Sequence, residues 1–451
     1  MQIFLLFFFQ LSKTFYIFVR KRTGIIPVQI KLTENQIYIN LHSMIIKNLQ
    51  LLTISVLLPV VIFAQATVQK GQELKYRRSS LYTLMLHDPN RQYADAIKTS
   101  FESAPIPDKF NNHNLSERII PASSAKDETE NINKYMQDNQ VAKQLVAKWF
   151  HRSDKGEFDM SLIGERGMYD ATAMDASVAS MSKRGNAMLA DAGEELISNT
   201  FVVVNDYAYV NKEEVAKGVA TGLVMLAAVA DATGHNTVRN VAAVGAAGAV
   251  VAGKGYVVKT TSYLYQLVWD DSTAAVFYQN YWNDSKSFDE KKKNAFNEDK
   301  STFRLKFIGK DVAWADVQST IFTSKSETEL ISMATIEAVD AVIAKLQKKY
   351  QVFRTKTPLY SIEPLTAKIG LKEGITKKSK FDVLEQQIDK NGRTVYKSIG
   401  TLKVNKKQIW DNRYSVAEVI KPENAVDRTL FKKASGGQFY PGVLIKQKNA
   451  K

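Results

Sequence analysis

The chain of 451 residues contains no cysteine. That absence excludes disulfides, thiolate metal sites, cysteine nucleophiles and an N-terminal lipid attached through cysteine. Histidine is scarce. The four that follow residue 66 are His87, His113, His151 and His235; they have no metal-ligand spacing, and no H-E-x-x-H occurs. Long apolar runs are lacking too: the Phe- and Leu-rich opening is interrupted by Lys13 before it reaches the roughly 20 residues a membrane-spanning helix needs.

A shorter apolar stretch at residues 44–66 has the layout of a secretory signal peptide. Lys47 gives a short positive start, 51–63 an apolar centre, and Ala64-Gln65-Ala66 a small-x-small cleavage site. The expectation is export, to the periplasm or the outer membrane of a cell envelope. Residues 1–43 are then expected to lie upstream of the true start, outside the mature protein. The alternative is a first hydrophobic segment of a membrane anchor.

The 385 residues after Ala66 suffice for two or three domains with proper cores. Their charge is uneven. Residues 351–451 carry 21 basic and 9 acidic side chains, a net +12, whereas residues 67–350 carry 34 against 36. One module is therefore expected to face an anionic partner; for an exported protein this means anionic lipid or glycan, and not nucleic acid. The rival reading is solubility and edge protection by exposed lysines.

Periodicity divides the remainder into an N-terminal helical and irregular region (67–155), a central α/β domain (156–354) and a basic β domain (355–451). Strands are expected at 76–86, 158–169, 200–210, 255–269, 274–282, 302–308 and 351–354, and helices at 93–101, 127–150, 173–199 and 327–350. Turn chemistry marks 87–90, a loop covers 103–114, and the Lys-rich 282–299 reads as a solvated loop or helix cap. Short strands follow at 367–369, 380–388, 394–399, 402–404, 416–420 and 443–446. Asp389-Lys390-Asn391-Gly392 forms a hairpin turn, and Gly370, Gly374, Gly436, Gly437 and Gly442 mark corners of a small barrel or sandwich. The expected class is α+β or α/β: a central mixed sheet with packed helices, followed by a small C-terminal β-barrel or sandwich.

Residues 213–254 form an unusual insert. Two 12-residue apolar runs dominated by Ala, Val and Gly, 219–230 and 241–252, flank Asp231 to Asn236 and read as a helical hairpin. Each run rises about 18 Å, short of a hydrocarbon core of about 30 Å. Such a hairpin packs on the sheet or in a homo-oligomer contact, or dips into a membrane, where Gly218 and Gly222 have small-xxx-small spacing.

Catalytic motifs are incomplete. Gly248 to Gly255 approaches G-x-x-x-x-G-K-[ST] but ends in Gly255, without the hydroxyl that reaches Mg²⁺. Ser123-Ser124-Ala125-Lys126 has S-x-x-K spacing without S-D-N or K-T-G after residue 66. His151 with Asp154 reads as a local surface pair. Asp270-Asp271, beside Trp269, Tyr278, Tyr281 and Trp282, is the most site-like carboxylate pair, although a strand-end turn explains it equally. No catalytic, cofactor-binding or metal-ligating residue is assigned.

The leader ending Phe63-Ala64-Gln65, the lack of cysteine, Gly370-Leu371-Lys372-Glu373-Gly374 and Lys380-Phe381-Asp382-Val383-Leu384 together look like uncharacterised secreted envelope proteins of Gram-negative bacteria. Helix-on-sheet followed by a small β-module is similar, more loosely, to envelope assembly proteins of the curli-secretion and TolB type. The chain departs from curli-secretion lipoproteins in having no cysteine to lipidate. The resemblance implies a non-catalytic assembly or binding scaffold that contacts envelope proteins or an anionic surface. The alternative is a secreted carbohydrate-active hydrolase using Asp270 and Asp271.

Overall fold

Strand alternation explains how the central sheet buries both faces. In the computed structural model, which describes residues 15–21, 24–30, 76–122, 128–169, 195–211, 255–318, 325–388, 394–413 and 426–448, the chain divides into two compact units, Met1–Glu73 and Leu74–Lys451. In the first unit β1 (Phe15–Lys21) pairs antiparallel with β2 (Gly24–Ile30). The sequence after Arg22 shows no regular strand period. Pro27 interrupts the count, while the β-branched Ile25, Ile26, Val28 and Ile30 favour the extended chain.

The second unit is α+β. Its central mixed sheet comprises β3 (Ser80–His87), β4 (Asn111–Asn112), β5 (Ile119–Pro121), β6 (Thr200–Asn211), β7 (Gly255–Leu267) and β8 (Leu305–Gln318). The order is β4-β3-β6-β7-β8, with β5 also on β3; β3 runs parallel to β4, β5 and β6, and β6, β7 and β8 alternate antiparallel. Leu81, Met85, Phe201, Val203 and Leu264 face one core, covered by α1 (Ala94–Ser103) and the long α7 (Glu327–Lys349). Tyr82, Leu84, Val202, Val204 and Tyr265 face the other, covered by α2 (Glu128–Asp138), α3 (Val141–Trp149), α4 (Ser161–Tyr169), α5 (Asp271–Val276) and α6 (Glu290–Glu298). The two-residue alternation of a strand thus feeds two separate cores.

Three expected strands are otherwise. Residues 158–169 contain α4, because Asp159 accepts the Ser161 N–H at 2.8 Å and starts a helix there. Residues 274–282 form α5 and a π-turn, Phe277–Tyr281, closed by the Trp282 N–H on the Phe277 carbonyl; Asp270 caps the start. Gln351–Phe353 is a 3₁₀ turn, since Phe353 is drawn into the core against Phe110 and Phe201 while Arg354 donates to the last carbonyls of α7, Gln347 and Lys348. The expected loop at 282–299 includes α6, started by Asp289. The strand expected at 302–308 is the first part of the longer β8, and the loop at 103–114 carries the two residues of β4. The expectations for 44–66, 123–126, 213–254, 389–392 and 416–420, and most of 173–199, lie outside the described residues.

The C-terminal sheet is antiparallel and curled. Its strands are β9 (Lys356–Pro358), β10 (Ser361–Ile362), β11 (Leu365–Ala367), β12 (Lys380–Ile388), β13 (Thr394–Val404), β14 (Thr429–Gly436) and β15 (Leu444–Gln447), ordered β10-β11-β14-β13-β12-β15-β9. Laid flat, seven strands span about 29 Å. Yet the edge strands β9 and β10 are joined by only Leu359 and Tyr360, a link of at most about 11 Å. The sheet must therefore curl, and the link bonds both sides: the Leu359 N–H donates to Val443 and the Tyr360 N–H to Thr366. Phe381, Val383, Leu402, Val404, Phe431 and Ile445 fill the inside of this half-barrel. The expected strands 394–399 and 402–404 are one bulged strand, β13. Of the proposed corner glycines, Gly374, Gly436 and Gly442 take positive φ, and Gly370 and Gly437 do not. Among the described residues no helix is long and apolar enough to cross a membrane.

Candidate anion-binding surface

On β12, β13 and β14 the alternation that sends Phe381, Leu402, Val404 and Phe431 inward sends Lys380, Lys403 and Lys432 outward, where all three are exposed. The register places Lys380 opposite Lys403 and Lys403 opposite Lys432, a row of three ammonium groups across three strands. Like charges directly opposite one another destabilise a sheet. Two turns at the same end of the strands add four more lysines. Lys377 and Lys378 lie in a turn closed by the Thr376 N–H on Ser379 Oγ at 3.0 Å, and the Ser379 carbonyl accepts from the Val404 N–H at 3.2 Å. Lys406 and Lys407 follow Asn405, which accepts the Lys407 N–H and donates its own to Leu430.

Among the described residues none of these seven lysines forms an ion pair. The nearest carboxylate along β12, Asp382, is held by Lys448 at 2.7 Å. Asp411 and Asp427 are held by Arg413 and Arg428. The patch has charge in register but no nucleophile and no acid–base pair. What it can do chemically is hold a polyanion, with an affinity that falls as salt rises.

The carboxylates singled out in sequence sit elsewhere. Asp270 Oδ1 accepts from the Thr273 N–H at 2.8 Å, Thr273 Oγ1 at 2.9 Å and Ser272 Oγ at 2.7 Å, and these bonds, the Thr273 backbone first, pull its carboxyl down to about 2. It is a helix cap. Asp271 lies exposed in the first turn of α5. The neighbouring rings pack on one another: Phe150 stacks on Phe277 at 4.3 Å, with Trp269 at 5.5 Å, Trp282 at 5.9 Å and Tyr278 at 6.0 Å from Phe150.

His151 pairs with Asp159 at 3.1 Å instead of Asp154. His113 is fully buried against Trp149, its Nδ1 accepting from Arg166 and its Nε2–H donating to the Leu145 carbonyl. Burial, then the Arg166 charge, hold this imidazole neutral, well below its usual range. Among the described residues no cluster of His, Asp and Glu has the makings of a metal site.

Where the half-barrel meets α7, Lys372 lies 3.6 Å from Asp340 and 3.5 Å from Asp108. Burial pushes the Asp340 carboxyl up to about 6, with Lys372 pulling the other way. Sequence reasoning located the excess charge but missed the row of lysines. The signal was there as lysines beside inward apolar residues, Lys380-Phe381, Leu402-Lys403-Val404 and Phe431-Lys432. Compared with models of known protein families and with curated proteins, the chain matches none.

Proposed function

We propose that this protein is an exported, non-catalytic scaffold of the cell envelope, whose C-terminal half-barrel contacts an anionic surface while the α/β part carries contacts to envelope proteins or to further copies of itself. The row Lys380–Lys403–Lys432 carries the reading, because its mutual repulsion is relieved by a polyanion and by no described residue of the chain. Of the two carboxylates on which the carbohydrate-active alternative relies, Asp270 is committed to capping α5 and Asp271 lies exposed in its first turn.

Each lysine near an anionic membrane contributes about 1 kcal/mol. The triple variant Lys380→Ser/Lys403→Ser/Lys432→Ser is therefore expected to bind phosphatidylglycerol vesicles about a hundredfold more weakly than the parent chain. The parent's binding is expected to be lost in high salt. Equal binding by the two proteins rejects the reading. N-terminal sequencing of the purified protein tests export: a first residue near Gln65 or Thr67 supports it, and an intact Met1 does not.

A further inference from the structure

The central sheet has an edge that α7 protects over only part of its length. The Val268 N–H donates to the Arg304 carbonyl at 2.9 Å, so these residues form a bonded pair, and two places along the ladder Lys306 and Gln266 form the next. The residues between and beyond, Leu305 and Phe307, then direct their N–H and C=O groups away from β7. Past the bulge at Leu264/Tyr265 the outward carbonyls are those of Lys310 and Val312, and both are covered. Lys310 accepts from Lys349 Nζ and Tyr350 Oη, each at 2.9 Å, and Val312 accepts from Lys345 Nζ at 2.5 Å. Among the described residues no further hydrogen bond satisfies the outward backbone groups of Leu305 and Phe307.

Beside this open stretch lies a cleft of about 840 Å³ between β7, β8 and the α2–α3 corner. Met136, Tyr265, Phe303, Leu305 and Phe307 give it an apolar lining, with the Tyr265 and Phe307 rings 5.1 Å apart and Phe307 still 40% exposed. Its mouth is cationic. Lys300 and Arg304 line it, both are exposed, and neither has an ion-pair partner among the described residues. Its one carboxylate, Asp138, is already paired with Lys134 at 2.7 Å.

We infer that the Leu305–Phe307 edge and this cleft receive an extended peptide segment of a partner protein, added as a further strand, with an apolar or aromatic side chain in the cleft and acidic side chains against Lys300 and Arg304. Unpaired backbone groups on every second residue match the repeat of an added strand, and an adjacent pocket selects its alternate side chains. The site shares no residue with the lysine row of the half-barrel, so either can fail without the other.

The full-length chain is titrated with a fluorescein-labelled, C-terminally amidated pentapeptide, Glu-Val-Phe-Val-Glu, followed by anisotropy. Saturable binding is expected. N-methylation of either the odd or the even peptide amides should weaken it about tenfold, as loss of backbone hydrogen bonds does, and replacing both glutamates by lysine should do the same. Phe307→Ala and the exposed-site variant Arg304→Glu should each weaken binding, whereas Lys403→Ser should leave it unchanged. The inference is overturned if the parent peptide does not bind, or if both methylated forms bind as well as the parent. It is also overturned if neither variant of the chain alters affinity while circular dichroism matches the parent, or if sedimentation shows a dimer that the peptide does not compete with.

Discussion

The central sheet and the C-terminal half-barrel use lysine in opposite ways. On α7, Lys345 and Lys349 reach over to β8, donate to the outward carbonyls of Val312 and Lys310, and lie within 4.0 and 3.3 Å of Asp311. There the ammonium ends a sheet edge and is neutralised in place. On the half-barrel Lys380, Lys403 and Lys432 face one another across strands with no described carboxylate to neutralise them. The first arrangement is complete within the chain, and the second becomes favourable only with something added. A local conflict that the fold tolerates marks a place to look for function.

Four measurements sharpen or break this contrast. The largest effect is expected in the core on one face of the central sheet, where Trp149 of α3 is fully buried and donates from Nε1 to Thr200 Oγ1 at 2.8 Å. Trp149→Ala should lower stability by about 3–5 kcal/mol in urea unfolding, as cavity formation does. A loss comparable to that of a surface change would mean the core is looser than its packing implies.

The seam between the two regions comes next. Because the folded Asp340 carboxyl is raised to about 6 from an ordinary value of 3.8, the folded state holds its proton more tightly than the unfolded state does. Its favourable contribution is present below pH 3.8 and is lost as pH rises through 6. The stability of Asp340→Asn relative to the parent should therefore increase by about 3 kcal/mol over that window. A flat difference between the two would show that Lys372 compensates the burial.

Asp270→Ala removes a cap and should cost about 1 kcal/mol. Since the Asp270 carboxyl is pulled down to about 2, its contribution is present above pH 3.8 and fades as pH falls through 2. Glycan turnover that disappears in this variant, with the fold intact, would instead restore a catalytic role. The smallest effect distinguishes the half-barrel most directly: Lys403→Thr, which removes the middle charge of the row, should stabilise the chain by about 0.5 kcal/mol at low salt and by nothing in high salt. A destabilised variant would mean that Lys403 has a partner after all.

Elements were legible where local and tertiary preferences agree. The β-branched and aromatic runs of β6 and β7 are strands buried on both faces, and Ser326 with Glu329 forms the capping box that begins α7. The misses share a cause. At 158–169 and 274–282 aromatic and β-branched residues favour a strand, but Asp159 and Asp270 each capture a backbone N–H and turn the chain into a helix. The excess of basic residues was countable, whereas the row they form was not, because β14 ends in the exposed Lys-Lys-Ala-Ser-Gly and the facing of Lys403 with Lys432 is a property of strand register. The cleft was illegible for a similar reason: Met136, Tyr265 and Phe307 meet only once three distant segments are packed.

The bent link through Leu359 and Tyr360 sets an order of assembly. Among the described residues β9 is the earliest strand of its sheet and pairs only with β15, the latest, Lys356 lying opposite Lys446. β12 and β13 are neighbours in the chain and pair directly, whereas the clasp needs a contact between segments far apart in the chain, the slowest kind to form. A chain stopped before Leu444 keeps every strand of the lysine row but leaves β9 unmatched and the faces of Phe381 and Val383 open to water. Charge display and shape completion are thus separable steps, and the second depends on four residues, Leu444–Gln447.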